Sequence, residues 1–234
     1  MLFASCVAVL FAAYEYFLRT FVGSLAPQLM ADWHLTPLQF SNMNTAYYIV
    51  YGVMQLPAGM LIGRYGVRYI IFFAVLLLVV ATELFAHTNS YVVAFVARML
   101  IGFGSSFAFV SLFYIVMSGF AEKTHGFAIG FSQFITTLGP MIAGGPLVLW
   151  IQYSHIGWRV AIADAGWFGL GLCLLALFMF RKTKRVTQAC FGAGLQVGKN
   201  QAHWLQQLRV LLANKRALLV VFYTGATYVS ASVL

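Results

Sequence analysis

Charge is what this sequence has least of. Of its 234 residues only 8% are Asp, Glu, Lys or Arg, and just five of those are acidic. A soluble domain carries about 25% charged residues, so this chain lacks the means to cover itself with a water-facing surface. With 62% hydrophobic residues and a mean hydropathy of +0.87, it reads as a polytopic all-α membrane protein. Cysteine is scarce as well. Cys6, Cys173 and Cys190 form no CxxC, which argues against a disulfide framework or a metal cluster. The five histidines (His34, His87, His125, His155 and His203) all lie at or beyond the ends of apolar runs, without metal-ligand spacing, so no metal is expected. A P-loop, G-x-S-x-G and HExxH are all missing, and the ionisable residues inside the apolar runs are too few for a catalytic constellation. Neither an enzyme nor a self-contained ATP-driven pump is expected.

The net charge of +9 would suit nucleic acid, but its distribution does not. Eight of the fourteen Lys and Arg crowd into residues 181–216 (Arg181, Lys182, Lys184, Arg185, Lys199, Arg209, Lys215 and Arg216). That is a loop held on the cytoplasmic side by the positive-inside rule, so no nucleic-acid partner is expected.

A spanning helix needs about 20 mainly apolar residues. The sequence predicts spans over 2–30, 40–62, 69–86, 91–120, 126–152 and 158–180, and a seventh beginning near 217 that is cut off at Leu234. The expected organisation is a six-helix bundle over 1–180, a basic cytoplasmic linker over 181–216, and the truncated start of a second bundle over 217–234. Alternate connections sort by charge. One set holds only Arg159; the other holds Arg64 and Arg68, Lys123, and the linker cluster. Both counts place the N-terminus in the cytoplasm. The N-terminus lacks a basic n-region and its apolar run continues past any cleavage site, so a removed signal peptide is not expected. In the linker, Trp204, Leu205, Leu208, Leu211 and Leu212 recur at helical spacing, predicting a short amphipathic helix on the membrane surface.

Inside the first span lie two ionisable residues, Glu15 and Arg19, spaced i, i+4 with the acid N-terminal to the base. On a helix they stack on one face. A charge at mid-bilayer costs roughly 2.5–3.5 kcal/mol or more, so such residues face a protein interior or a water-filled cavity and are functional candidates. The alternative is a salt bridge that only locks helix packing. In span 2 the row Tyr47–Tyr51–Gln55, with Asn44 and Tyr48, would lack partners in lipid and is expected to face inward, unless the tyrosines form an interfacial belt. In span 5, Gln133, Thr136 and Thr137 either line a cavity or bond between helices. Asp32 is expected in solvent, Glu83 near the outer end of span 3, Arg159 paired with Asp164, and Glu122–Lys123 in a solvated turn.

Residues 59–68 read Gly59-x-Leu61-x-x-Arg64-x-Gly66-x-Arg68, preceded by Gln55-Leu56-Pro57-Ala58. This resembles the loop signature of the major facilitator superfamily, G-x-L-x-D-R-x-G-x-R/K, except that the family's acid is Gly63 here. In the family that acid helps latch the two halves of the transporter, so the resemblance puts the latch, not the fold, in question. Arg98-x-x-x-Gly102-x-Gly104 is similar to the family's span-4 signature. The resemblance implies a role in proton coupling for Arg98, against the alternative that it snorkels to the outer interface. Gly139-Pro140 and Gly144-Gly145-Pro146 look like the span-5 antiporter signature, but three residues separate the two glycine groups where that pattern has two. Close helix packing also accounts for them.

The resemblance implies a six-helix half-bundle of 3+3 inverted repeats in a multi-pass protein of the bacterial inner membrane. It also implies a missing C-terminal half of the same transporter as partner, and a central cavity lined by spans 1, 2, 4 and 5. Tyr16-Phe17-Leu18-Arg19 followed by Ala26-Pro27-Gln28-Leu29 is similar to span 1 of organic-anion, organophosphate and bacterial nutrient (amino-acid) permeases. There an arginine at the position of Arg19 binds the anionic group of the substrate. The expected activity is secondary transport by alternating access: uptake of a small anionic or zwitterionic solute, coupled to protons, with the proton gradient as energy source and no cofactor. Arg19, Tyr47, Tyr51, Gln55 and Gln133 are the expected substrate contacts, and Glu15 and Arg98 the coupling pair. Glu15's protonation is set by competition between burial and the neighbouring cation. A single half has nothing to rock against, so this chain alone is expected not to transport. Two other readings stay open: an efflux antiporter of the same fold, and a truncated membrane protein that does not transport.

Overall fold

Gly66 alone separates two membrane spans. Its backbone, at φ 86° and ψ 142°, lies in a region open in practice only to glycine, so the chain reverses there within one residue. The computed structural model describes residues 2–154 and 157–182, and the described chain is helical throughout its ordered elements. These are α1 (Leu2–Ser24), α2 (Ala26–Asp32), α3 (Pro37–Tyr65), α4 (Val67–His87), α5 (Tyr91–Gly119), a short 3-10 turn (Glu122–Thr124), α6 (His125–Thr136), α7 (Leu138–Gly144), α8 (Pro146–Ser154) and α9 (Trp158–Lys182). Five runs among the described residues are long and apolar enough to cross a membrane, or six if α3 is counted across its bend. The expected linker helix over 203–212 and the seventh span lie outside the described residues.

Proline and glycine account for most departures from the expected boundaries. Span 1 is not one helix to residue 30. It breaks at Leu25, because Pro27 has no N–H to continue the ladder and is tolerated only at the start of α2. The expected loop over 59–68 is α3 continuing to Tyr65, with Gly66 as the whole turn. Pro57 bends α3 by 51° instead of ending it. Span 5 is three helices. Thr137 caps one break, while Gly145 followed by Pro146 makes the other. Span 2 begins earlier than expected, at Pro37, where Thr36 and Gln39 form a reciprocal capping box.

α1 runs through the middle of the bundle. It packs on α5, α6, α7 and α9, while α4 packs on α5 and α9, and α3 on α5. Phe11, Leu18, Phe21 and Leu25 of this central strand of chain are fully buried. Small residues permit the close crossings. A Cβ on Gly102 would stand 2.6 Å from the Tyr47 carbonyl oxygen, and one on Gly139 would overlap the Ala13 carbonyl oxygen.

At the end carrying the α2–α3, α4–α5 and α8–α9 connections, Arg159 ties three elements together. It pairs with Asp32 at 2.9 Å and donates to the carbonyls of Ala86 (3.2 Å) and Thr88 (2.6 Å). Its guanidinium also lies over the Trp158 and Trp33 rings. One expectation is corrected here: Asp32 is exposed as expected, but it is Asp32, not Asp164, that pairs with Arg159. Asp164 is exposed on α9, on a face of that helix five residues removed from the staple.

Candidate functional site

Helical spacing brings Glu15 and Arg19 to one face of α1, and the bundle closes around them. Arg19 donates to Glu15 Oε1 twice, from Nη2 at 2.6 Å and from Nε at 3.0 Å. The pair is nearly sealed, with side-chain exposure of 9% for Arg19 and 1% for Glu15. A third group joins from α3: the Tyr47 hydroxyl donates to Glu15 Oε1 at 2.9 Å and accepts from Arg19 Nε at 3.3 Å. Glu15 Oε1 therefore takes three donors, while Oε2 is buried and accepts none. Leaving a carboxylate oxygen without a donor away from water is costly.

The Arg19 guanidinium is held between two rings, 4.4 Å from the Tyr51 centroid and 4.7 Å from that of Tyr16. Cation–π attraction fixes its plane, so only its edges remain for hydrogen bonding. Gln133 of α6 donates to the Tyr16 hydroxyl at 3.3 Å, holding that ring from the other side. Tyr47 and Tyr51 stack one turn apart on α3, 6.1 Å between centroids.

Arg98 approaches from α5. It is fully buried and does not snorkel. Its Nη1 donates to the Leu18 carbonyl at 2.6 Å and its Nη2 to the Arg19 carbonyl at 2.9 Å. The guanidinium lies 4.4 Å over the Tyr47 ring. Tyr47 thus has one cation against its ring face and another at its hydroxyl. Gly102, one turn beyond Arg98 on α5, is what lets the Tyr47 backbone come this close.

The expected residues divide clearly. Arg19, Glu15, Tyr47, Tyr51 and Arg98 converge, and Gln133 reaches them through Tyr16. Gln55 is half-buried farther along the Tyr47–Tyr51 row and makes no hydrogen bond to the pair among the described residues. Thr136 and Thr137 bond back to the Gln133 carbonyl of their own helix, so they neither line the pair nor join two helices there. Arg64, Gly66 and Arg68 lie at the α3–α4 turn, away from the pair. Gly139 packs α7 on α1 beside Glu15, whereas Gly59 faces open space and serves no close approach. Glu83 sits beside His87 on α4, at 3.4 Å, against Gly166 of α9. Tyr16 is the one contact that sequence reasoning passed over. Its i, i+3 spacing from Arg19 was the available signal. Among the described residues no group of three His, Cys, Asp or Glu could hold a metal ion.

A family profile described as Major Facilitator Superfamily matches residues 6–234. A probable 4-methylmuconolactone transporter of Cupriavidus pinatubonensis is 30% identical over 166 residues, 68% of this chain and 37% of the relative. A galacturonate transporter of Dickeya chrysanthemi is 27% identical over 171 residues, 72% of this chain and 48% of the relative. The chain thus spans between about a third and a half of the length of the curated relatives it matches. Among solved structures, an inward-facing, unoccupied bacterial homolog of the human lysosomal transporter Spinster superposes with a TM-score of 0.67 at 19% identity. That match covers 75% of this chain and 42% of the other.

Proposed function

Because the chain belongs to the major facilitator superfamily, we propose that it supplies the anion-binding half of a secondary transporter. The transporter takes up a small organic acid, such as a sugar acid, together with a proton. A bilayer-embedded multi-pass protein of this family follows from the match and the helices. Substrate, coupling and direction are our reading. We also place the protein in the bacterial inner membrane with its N-terminus in the cytoplasm, on the charge asymmetry of its connections. The observation that carries the proposal is the Glu15–Arg19–Tyr47 triad. A guanidinium clamped between two tyrosine rings has one edge taken by a carboxylate, inside a membrane bundle.

The charge arithmetic gives the triad a direction. Arg19, Arg98 and ionised Glu15 leave the buried cluster with one net positive charge. Protonating Glu15 makes that two and weakens the hold of Glu15 Oε1 on the Arg19 edge, so that an anion can compete for it. Oε2, which no donor serves, is the oxygen that takes the proton. Two unit charges about 4 Å apart interact by about 4 kcal/mol at an effective dielectric of 20, so the proton changes the attraction for an anion several-fold at least. Proton and monoanion then bind with positive linkage, which is what symport requires. Two relatives whose names specify a galacturonate and a methylmuconolactone substrate support an organic acid as the solute. Tyr51 and Tyr16, both half-buried beside Arg19, supply hydroxyls and ring edges for its carbon skeleton, while Tyr47 is fully buried and acts by holding the pair. Arg98 keeps α1 and Tyr47 in register, acting on the site through them.

The test uses the protein from its whole reading frame in proteoliposomes, with a panel of uronates, other carboxylates and amino acids. A carboxylate is expected to drive proton entry. Arg19→Gln should abolish binding, and Glu15→Gln should leave substrate exchange intact while removing proton-driven accumulation. Normal accumulation by both variants would show that the pair only holds helices together.

A further inference from the structure

A second site lies on the outside of the bundle, at the end that carries the Gly66 turn. Between α3 and α4 there is a groove of about 560 Å³ lined by Leu61, Arg64, Tyr65, Tyr69, Ile70 and Phe73. It shares no residue with the Glu15–Arg19 cluster. Its outer wall belongs to an exposed stripe on α4, Tyr69, Phe73, Leu76, Val80 and Leu84, at spacings of four, three, four and four. Such a stripe follows one helix face for the length of the span. The opposite face of α4 is packed on α5 and α9, so this stripe faces lipid, and the groove opens where it meets the headgroup layer.

The groove's chemistry is one-sided. Arg64 is exposed, and its guanidinium lies 5.4 Å from the Tyr65 ring. No acidic residue lines the groove, and the neighbouring position that could have held one is Gly63. Below Arg64 the walls are Tyr69, Ile70 and Phe73, apolar apart from a phenol at the depth where tyrosine favours the interface.

We propose that this groove is a binding site for one anionic phospholipid. Arg64 holds the phosphate, Tyr65 and Tyr69 flank the headgroup, and one acyl chain lies along Ile70 and Phe73. An anionic headgroup fits better than a zwitterionic one because an ammonium here would meet a guanidinium and no carboxylate. Basic side chains near a membrane surface favour anionic lipid, and Arg64 adds the planar fork that matches a phosphate.

Native mass spectrometry of the whole protein, released from mild detergent with phosphatidylglycerol or phosphatidylethanolamine added in equal amounts, tests this. One phosphatidylglycerol per chain should be retained in preference to phosphatidylethanolamine. Arg64→Gln should cut that retention about fivefold, the effect of one base at an anionic surface. Arg64→Lys should restore part of it. Lys123→Gln, which removes a base from another turn at the same end, should leave it unchanged. Millimolar inorganic phosphate should not displace the lipid. Equal retention of the two lipids, or no effect of Arg64→Gln, overturns the proposal. Displacement by phosphate would reassign the groove to a free anion. A protein segment cross-linked to Phe73→Cys would show the groove to be covered by polypeptide instead. A failed transport assay on the Glu15–Arg19 pair bears on none of these outcomes.

Discussion

Gly102→Ala is the sharpest test of the idea that helix packing, not the charged pair alone, builds the proposed anion site. The added Cβ would stand 2.6 Å from the Tyr47 carbonyl oxygen and 3.3 Å from the Tyr47 Cα. A carbon–oxygen contact normally settles at about 3.3 Å or more, so α3 and α5 must part by about 0.7 Å. Both atoms belong to helix backbone, so no side chain can swing aside. Overpacking of this kind costs about 1–3 kcal/mol. Alanine's better helix propensity returns up to about 1 kcal/mol, leaving a net loss of about 0–2 kcal/mol when that return is complete. The same displacement acts on the site. The Tyr47 hydroxyl bond to Glu15, 2.9 Å long, would stretch to as much as about 3.6 Å, beyond hydrogen-bond range. A hydrogen bond to a charged group is worth about 1.5–3 kcal/mol, roughly a tenfold to hundredfold change in an equilibrium constant. The assay is a double-mutant cycle of Gly102→Ala and Tyr47→Phe, read by substrate affinity in proteoliposomes and by thermal unfolding in detergent. Gly59→Ala, which meets open space, is the control. If Gly102 acts through the Tyr47 hydroxyl, the two changes are non-additive by about 1 kcal/mol or more in affinity. Additive effects, or a Gly102→Ala protein indistinguishable from Gly59→Ala, would refute the reasoning.

Three further outcomes follow from local geometry. Arg159→Gln should destabilise the bundle by about 1–2 kcal/mol, since it leaves two carbonyls without their donor, whereas Asp32→Asn should cost under about 1 kcal/mol because that ion pair is half-exposed; thermal unfolding of the two variants gives the order, and a larger loss for Asp32→Asn would contradict it. Gly66→Ala should cost about 1–3 kcal/mol through backbone strain at φ 86°, checked the same way against Gly63→Ala, which has ordinary φ. Thr36→Ala removes the cap of α3 and should cost about 0.5–2 kcal/mol, with faster hydrogen exchange confined to residues 38–40.

The architecture was legible because membrane physics leaves few choices. Backbone groups in lipid must be satisfied within a helix, so apolar run length almost fixes the spans. What the sequence reading missed was how proline and glycine act within them. Pro57 and Pro27 are one residue type with different results. Pro57 lies inside α3, more than two turns from its end, and bends it. Pro27 stands in the first turn of α2, just past the break at Leu25, where its missing N–H has no partner to lose. The start of α3, by contrast, is written in the sequence, where Thr36-Pro37-Leu38-Gln39 spells a capping box.

The candidate site was legible along each helix and opaque between helices. Glu15 and Arg19 declare each other by spacing, and so does the Tyr47–Tyr51 row. That Tyr47 completes the pair depends on the rotation of α3 about its axis, which a helix with Gln39, Ser41, Asn42, Asn44 and Thr45 spread around its circumference does not fix. Arg98 and Arg159 show the same limit in another form. Each lies within a few turns of the bundle end that carries the α4–α5 and α8–α9 connections. Depth alone does not say whether a long side chain reaches toward the headgroups or folds into the bundle. What decides is the supply of acceptors. Arg98 meets two α1 carbonyls and a tyrosine face, and Arg159 meets two carbonyls, a carboxylate and two indoles. In both cases most of the hydrogen-bond acceptors are backbone carbonyls, which every sequence carries at every residue and which therefore leave no mark in the pattern of side chains. A buried arginine satisfied by carbonyls is invisible until the helices are placed, so in this bundle the unreadable part of the site is the part made by main chain.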